Sequence, residues 1–403
     1  MAAEGVDRYL DSPSAYVHIP FCARVCPYCD FAVVAGKDDL AERYIEAVIS
    51  EIGMTPVWKT LDSVYFGGGT PSHVDPSLLG KALDRLVARH GLSENAEVTL
   101  EANPEDFDLE RAQALKALGF NRVSFGAQSL DGRVLASLGR RHNAEDVVTS
   151  VTTAREAGFE SISVDLIYGT PGETDTSWEE TLGVALGLGT DHMSCYALTV
   201  EGGTPLGREV KAGAPEPDPD VQADRYEYAQ TSLAASGFGQ YEVSNWARPD
   251  RECGYNLTVW AQGEYLAYGN GAHGHLDHTR FRNVRRLDAY ITTVESGALP
   301  RAGEDRIDGW AREIDRLFVG LRRTAGVTHG PGTEALLGSD DGQRLFEAGV
   351  IEDTGDRLVV KRPLLTDAVH RAVLGLQDPT RQGTGYGPAR TAFPTGITCM
   401  SYA

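Results

Sequence analysis

The chain has 403 residues, 41% of them hydrophobic, and a net charge of −21 at pH 7, which suits a large α/β unit with a smaller appendage better than one compact core. So acidic a composition argues against a nucleic-acid partner, because affinity for phosphate backbones comes from clustered Lys and Arg. No run approaches the roughly 20 apolar residues of a bilayer span, and the N-terminus lacks a basic segment followed by an apolar one, so neither membrane insertion nor secretion is expected and the expected compartment is the cytoplasm.

Short β-like runs recur at residues 15–19, 63–66, 97–101, 122–125, 161–166 and 192–196, with amphipathic stretches at 39–53, 76–90, 109–118, 144–157 and 177–188 between them. This alternation predicts a parallel α/β sheet. Six units are too few for the eight of a closed barrel, so the expected fold is an open, three-quarter (β/α)6 barrel. Residues 213–220 (GAPEPDPD) read as a hinge before a helix over 226–235. Residues 240–300 are aromatic, Gly-rich and Arg-rich with little periodicity. Beyond residue 304, Ile307, Trp310, Ile314, Leu317, Phe318 and Leu321 mark one face of a long helix. A short helix, a hairpin-like stretch over 350–360 and a third helix near 366–376 follow, as in a small winged-helix-like domain. The divisions expected are a leader (1–13), a core barrel (14–240), a barrel-closing segment (241–302), the winged-helix-like domain (303–376) and a disordered tail (377–403).

Of six cysteines, Cys22, Cys26 and Cys29 crowd into one loop after the first strand, while Cys195, Cys253 and Cys399 are scattered. Clustering of this kind in a reducing compartment points to metal rather than to disulfides. Thiolates suit iron–sulfur clusters, which take four of them. Three on a CxxxCxxC loop leave one iron of a [4Fe–4S] cluster without a protein ligand. Such an iron can take the amino and carboxylate groups of S-adenosylmethionine (SAM), which is how that molecule becomes reducible to a radical. A zinc knuckle would need a second CxxC or HxxxH, which the chain lacks. The stretch Gly67–Thr70 and Glu101, Gln128, Asp165 and Tyr196 are all expected at or just beyond the C-terminal ends of the strands, the rim where loops of parallel βα units converge on a ligand. The glycines before Thr70 would let backbone approach that ligand, with N–H groups and the Thr70 hydroxyl available. Asp165 is the expected ribose acceptor.

The blocks YVHIPFCARVCPYCDF, YFGGGTPS, LEANPE, RVSFGAQS, LGRRH, DLIYGTPGET, YALTVEGGTPL, GFGQYEVSNWA and GNGAHGH cover roughly residues 14–290. In this order they resemble the oxygen-independent coproporphyrinogen dehydrogenase superfamily of radical-SAM proteins, and within it most closely the HemW-like haem chaperones. The resemblance implies that Cys22, Cys26 and Cys29 hold the cluster. It also implies SAM contacts at Tyr16, Tyr28, Gly68, Gly69, Thr70, Glu101, Gln128, Arg140, Asp165 and Ala197. Phe31, where the dehydrogenase has a further cysteine, and the short leader favour the chaperone branch. That branch implies haem or another tetrapyrrole as cargo, a haem-accepting protein and an electron donor as partners.

One stretch departs from the pattern. Where the family's haem-associated HNxxYW motif falls, this chain reads Tyr255-Asn256-Leu257-Thr258-Val259-Trp260. A neutral imidazole is a good iron ligand, whereas Tyr serves only when ionised, so haem is expected either on Tyr255 or on a nearby substitute such as His273. Cys253, His275 and His278 are further substitutes. Arg280, Arg282, Arg285 and Arg286 are candidate partners for haem propionates. The alternatives are a radical-SAM oxidative decarboxylase of coproporphyrinogen III and a diverged radical-SAM protein without haem binding.

Overall fold

The computed structural model describes residues 7–378. Six strands, β1 (Ser14–Ile19), β2 (Leu61–Gly68), β3 (Leu92–Ala102), β4 (Arg122–Gln128), β5 (Ser161–Tyr168) and β6 (His192–Ala197), pair in parallel in chain order. The helices between them include α1 (Ala41–Met54), α2 (Pro76–His90), α3 (Leu109–Ala117), α4 (Ala144–Glu156) and α5 (Asp175–Gly187). Local chemistry starts several of these. Asp75 accepts from the Ser77 amide at 2.8 Å with Pro76 in the first turn, and Asn143 and Asp146 form a reciprocal cap on α4.

The strands alternate along their length. Val17, Val64, Leu100, Val123, Val164 and Met193 are buried in the main apolar core that the helices cover, each side chain of this kind contributing about 1.5–3 kcal/mol on burial. The alternate positions, among them Tyr65, Glu101, Arg122, Ser124, Asp165 and Ser194, face the concave side and line a cavity there. An α/β barrel of this kind thus has an apolar outer layer and a polar lumen.

Residues 241–302, expected to close the barrel, extend its sheet at both ends instead. Strands β7 (Gly239–Glu242) and β8 (Asn245–Ala247) add antiparallel beyond β6. At the other edge β9 (Tyr265–Tyr268) pairs parallel to β1, and β10 (His273–Leu276), β11 (Thr279–Asn283) and β12 (Arg301–Arg306) follow it antiparallel. The sheet of 12 strands has β12 and β7 as its free edges and stays open. The helix expected over 226–235 is longer, Pro219–Ala235, because Asp218 caps it and Pro219 starts it. A helix over Gly254–Trp260 packs against the beginnings of β1 and β2, where the Ser14 hydroxyl meets that of Thr258 at 3.2 Å.

The C-terminal part has its own core, with Leu317, Leu321, Val327, Leu336, Leu358 and Val369 at its centre. It consists of helices Gly309–Gly320, Pro331–Gly338, Asp340–Glu347 and Thr366–Leu374 and a three-stranded antiparallel sheet with Arg357–Val360 in the middle. Two helices stand where the sequence suggested one. A buried Arg322–Glu242 pair at 3.0 Å and the Gln262–Asp315 hydrogen bond at 2.7 Å join this lobe to the barrel. The tail expected over 377–403 lies, from residue 379 on, outside the described residues.

Candidate functional site

The cysteine loop leaves the end of β1. Phe21–Cys22 forms a short parallel ladder with Val34–Ala35, and the Cys29 amide bonds back to the Cys26 carbonyl at 3.1 Å. The loop is thereby folded over the C-terminal rim, with all three thiols at one cavity of about 160 Å³. Burial pushes the Cys22 thiol up to about 11, against the Thr70 hydroxyl, which donates to its Sγ at 3.5 Å. Burial likewise pushes Cys29 up to about 12. Thiols so disposed ionise when a metal centre supplies the compensating charge. Arg140 donates from Nη1 to the Cys26 Sγ at 3.7 Å and from Nη2 to Asn103 Oδ1 and Gly126 O at 2.6 and 2.7 Å.

Among the described residues no three His, Cys, Asp or Glu side chains converge as ligands of a single metal ion would. The thiolates of a cubane cluster each bind a different iron, so they need not converge on one point. Three sulfurs on one loop, two of them already accepting hydrogen bonds from polar neighbours, suit that donor set.

The glycine loop after β2 is laid against the start of the cysteine loop. The Gly69 and Thr70 amides donate to Ile19 O and Phe21 O, both at 2.8 Å, and the Gly68 amide donates to Glu101 Oε2 at 2.9 Å. Gly68 has φ +105°, and a Cβ there would overlap the His18 ring; one on Gly69 would meet Ile19 O. This corrects the expectation that these amides await a ligand. Their donors are used, so what residues 68 and 69 can offer is carbonyl oxygens, acceptors suited to an ammonium group.

Glu101 also accepts from the Tyr65 hydroxyl at 3.0 Å. Burial, followed by the neighbouring Asp165 carboxylate, pushes it up to about 8 despite the two donors. Asp165 is raised by burial as well, while Ser124 donates to both its oxygens at 3.0 Å. Its strand runs on to Tyr168, so Asp165 sits within the lumen rather than at the strand end expected for it. Two coupled, desolvated carboxylates form a site that a cation stabilises. Gln128 ends β4 at φ 64° beside a register shift between Gly126 and Gln128, a bulge of the kind that re-aims a side chain.

Tyr28, Gly68, Gly69, Thr70, Glu101, Gln128, Arg140 and Asp165 all line the cavity with the three cysteines. Tyr16 does not; its ring stacks on Tyr65 at 6.2 Å and its hydroxyl meets His18 Nδ1 at 3.2 Å. Ala197 follows the cavity-lining Tyr196. The floor holds residues that the sequence reading did not single out. Arg122, 2% exposed, bonds Ser161 Oγ at 2.8 Å and lies 3.8 Å from Glu97. His192 is tied to Ser163 and Tyr241, both at 2.8 Å, and burial, then Arg122, hold its pKa well below the usual value. The signal that could have found them is the every-other-residue polarity of strands such as Arg122-Val-Ser124 and His192-Met-Ser194.

Cys253 and Asn256 reach the same floor. Tyr255 does not line the cavity. Its ring packs within 5.8 Å of Tyr16, 5.2 Å of Tyr65 and 5.7 Å of Tyr265, and the residue is buried. His273 stands exposed on β10, apart from it. The structure thus brings the cluster candidates and all the SAM candidates but Tyr16 and Ala197 to one cavity, and keeps Tyr255 and His273 outside it.

Residues 16–185 match the model of the radical SAM superfamily. Over 374 residues the chain is 38% identical to the heme chaperone HemW of Mycobacterium tuberculosis, covering 89% of this chain and 94% of that protein. It is 35% identical over 377 residues to the heme chaperone HemW of Bacillus subtilis, covering 90% and 99%. Among solved structures, the coproporphyrinogen III oxidase HemN of Escherichia coli, a radical SAM enzyme, superposes with a TM-score of 0.78 at 21% identity over 93% of each chain; that likeness is one of fold. With this identity over nearly the whole length of its relatives, the chain belongs to the HemW family of radical-SAM proteins.

Proposed function

We propose that this protein is a haem chaperone that holds a [4Fe–4S] cluster and SAM in its central cavity and passes haem to an acceptor protein, with an electron donor serving the cluster and the cytoplasm as its compartment. Among the described residues no helix is long and apolar enough to cross a membrane. The observation that carries the reading is the convergence of Cys22, Cys26 and Cys29 with Glu101, Arg140 and Asp165 on one cavity, in a chain whose near full-length relatives are named haem chaperones.

In this reading the three cysteines hold the cluster. Thr70 and Arg140 donate hydrogen bonds to two of the sulfurs and spread their charge. The carbonyls of residues 68 and 69 and the Glu101 carboxylate receive the ammonium group of SAM, Asp165 takes its ribose, and Tyr28, Gln128 and Ala197 border it. When bound, cluster and SAM supply one-electron chemistry. What the chain itself does is exclude water, hold two carboxylates near a cation and orient the ligand.

The test is anaerobic reconstitution with iron and sulfide, titration with ferric haem, then mixing with apomyoglobin. The expected result is stoichiometric haem binding followed by transfer at a rate above that of free haem. Absence of haem binding by the reconstituted protein overturns the reading.

A further inference from the structure

Haem does not share the central cavity in this reading, because the walls of that cavity carry the three cysteines and the residues assigned to SAM. Nor can Tyr255 serve as the ligand without rearrangement, since three tyrosine rings enclose it.

The sheet extension offers another place. His273 lies directly opposite Arg282 on the β10–β11 hairpin, and His275 opposite Arg280, so all four side chains project from one face. The two ends of that face differ. At one end Arg280 is paired with Asp315 of the C-terminal lobe, and His275 is buried with its Nδ1 bonded to Gly263 O at 2.9 Å. At the other end His273 and Arg282 are both exposed, and neither makes a hydrogen bond or ion pair among the described residues. Arg285, beside them, bonds the Asp30 carbonyl of the cysteine loop. The remaining arginine of this cluster, Arg286, is engaged by Asp288 at 2.6 Å. In a molecule of net charge −21, a free imidazole thus stands near two guanidiniums that no carboxylate neutralises among the described residues.

Resting on the haem-chaperone reading, the geometry points to this open end of the hairpin as the haem-docking site, with His273 as the iron ligand and Arg282 and Arg285 as partners of the propionate carboxylates. Imidazole is the commonest metal ligand among side chains, and guanidinium matches carboxylate geometry. The site places the cargo outside the barrel lumen yet against the loop that carries Cys29, because Asn270 Nδ2 bonds both Ala32 O at 3.2 Å and Arg285 O at 3.0 Å.

The experiment is titration of the reconstituted full-length protein with ferric haem and, separately, with haem dimethyl ester, read by absorbance and resonance Raman spectra. Wild type is compared with His273→Ala, His275→Ala, Tyr255→Phe and Arg282→Gln, and cluster content and circular dichroism report folding. His273 and Arg282 are exposed, so their variants should fold. Expected are a nitrogen-ligated spectrum in wild type, its loss with about a tenfold or greater drop in affinity in His273→Ala, and a severalfold drop in Arg282→Gln for haem but not for the ester. If haem binds as tightly to His273→Ala with an unchanged spectrum, or if the ligand is lost in His275→Ala or Tyr255→Phe instead, the docking site is wrong while the chaperone reading stands. If wild type binds no haem, that reading fails and the docking site with it.

Discussion

The cluster-bearing rim and the sheet extension are built from the same residue types but by different means. At the rim, each functional group ends or lines a strand whose neighbour is the next strand in the chain, so a periodic βα sequence delivers Cys22, Thr70, Glu101 and Asp165 to one cavity. In the extension, β9 pairs with β1 across about 250 residues of sequence, and β10 to β12 are added antiparallel. Repetition makes the first region tolerant of loop length and strict about strand ends. Long-range pairing makes the second depend on contacts between elements far apart in the chain, such as Tyr16 with Tyr255 and Arg280 with Asp315. The lesson is that the rim can be read strand by strand, whereas the faces of the extension exist only once distant segments have met.

The largest effect expected sharpens this contrast. Cys22→Ala, Cys26→Ala or Cys29→Ala each abolishes the cluster, measured by iron content and anaerobic absorbance. Cys195→Ala retains it, since Cys195 is fully buried in the outer apolar core; an intact cluster in a Cys26 variant breaks the assignment.

Next is Glu101→Gln, expected to weaken SAM binding by about 10–100-fold, the scale of one charged hydrogen bond. The carboxyl of the folded chain is raised from 4.5 to about 8, so a cationic ligand favours its ionised form and SAM affinity should rise with pH toward 8. For the ligand-free chain the sign is the reverse: the stability that Glu101 contributes is present below its unfolded value and lost as pH rises through about 8. Both slopes should flatten in Glu101→Gln, by calorimetry and by urea titration at several pH values; slopes unchanged from wild type count against Glu101 as the titrating group.

A third variant, Leu317→Ala, empties the centre of the C-terminal core and should cost about 2–5 kcal/mol of that lobe's stability, read by urea unfolding. Cluster content should remain, because the core it belongs to is separate from that of the barrel. Loss of the cluster at native temperature would show the two regions to be one cooperative unit.

The smallest effect concerns Tyr255→Phe. The aromatic packing on Tyr16, Tyr65 and Tyr265 survives this change, so stability should move by less than about 1.5 kcal/mol with cluster content unchanged. A larger loss of stability would give the phenol oxygen a structural role.

Much of the barrel was legible in the residue order. Strand and helix positions such as 76–90 agree with the structure because caps at Asp75 and Asn143 and the recurring apolar runs act locally. The cysteine loop was legible for the same reason: ligand spacing within eight residues is a local matter. The floor of the cavity was less so. Arg122 and His192 open their strands and look like ordinary strand starts until the curvature of the sheet aims them inward.

The chain's order alone therefore determined the six βα units and the three thiols of one loop, because each is encoded within a turn or two of backbone. Tertiary structure decided that the glycine-loop amides are spent on Ile19, Phe21 and Glu101, that Tyr255 is sealed among tyrosines, and that His273 stands free beside Arg282. Those outcomes depend on which distant strands become neighbours, and hydrogen-bond donors, ring contacts and exposure are settled only when they do.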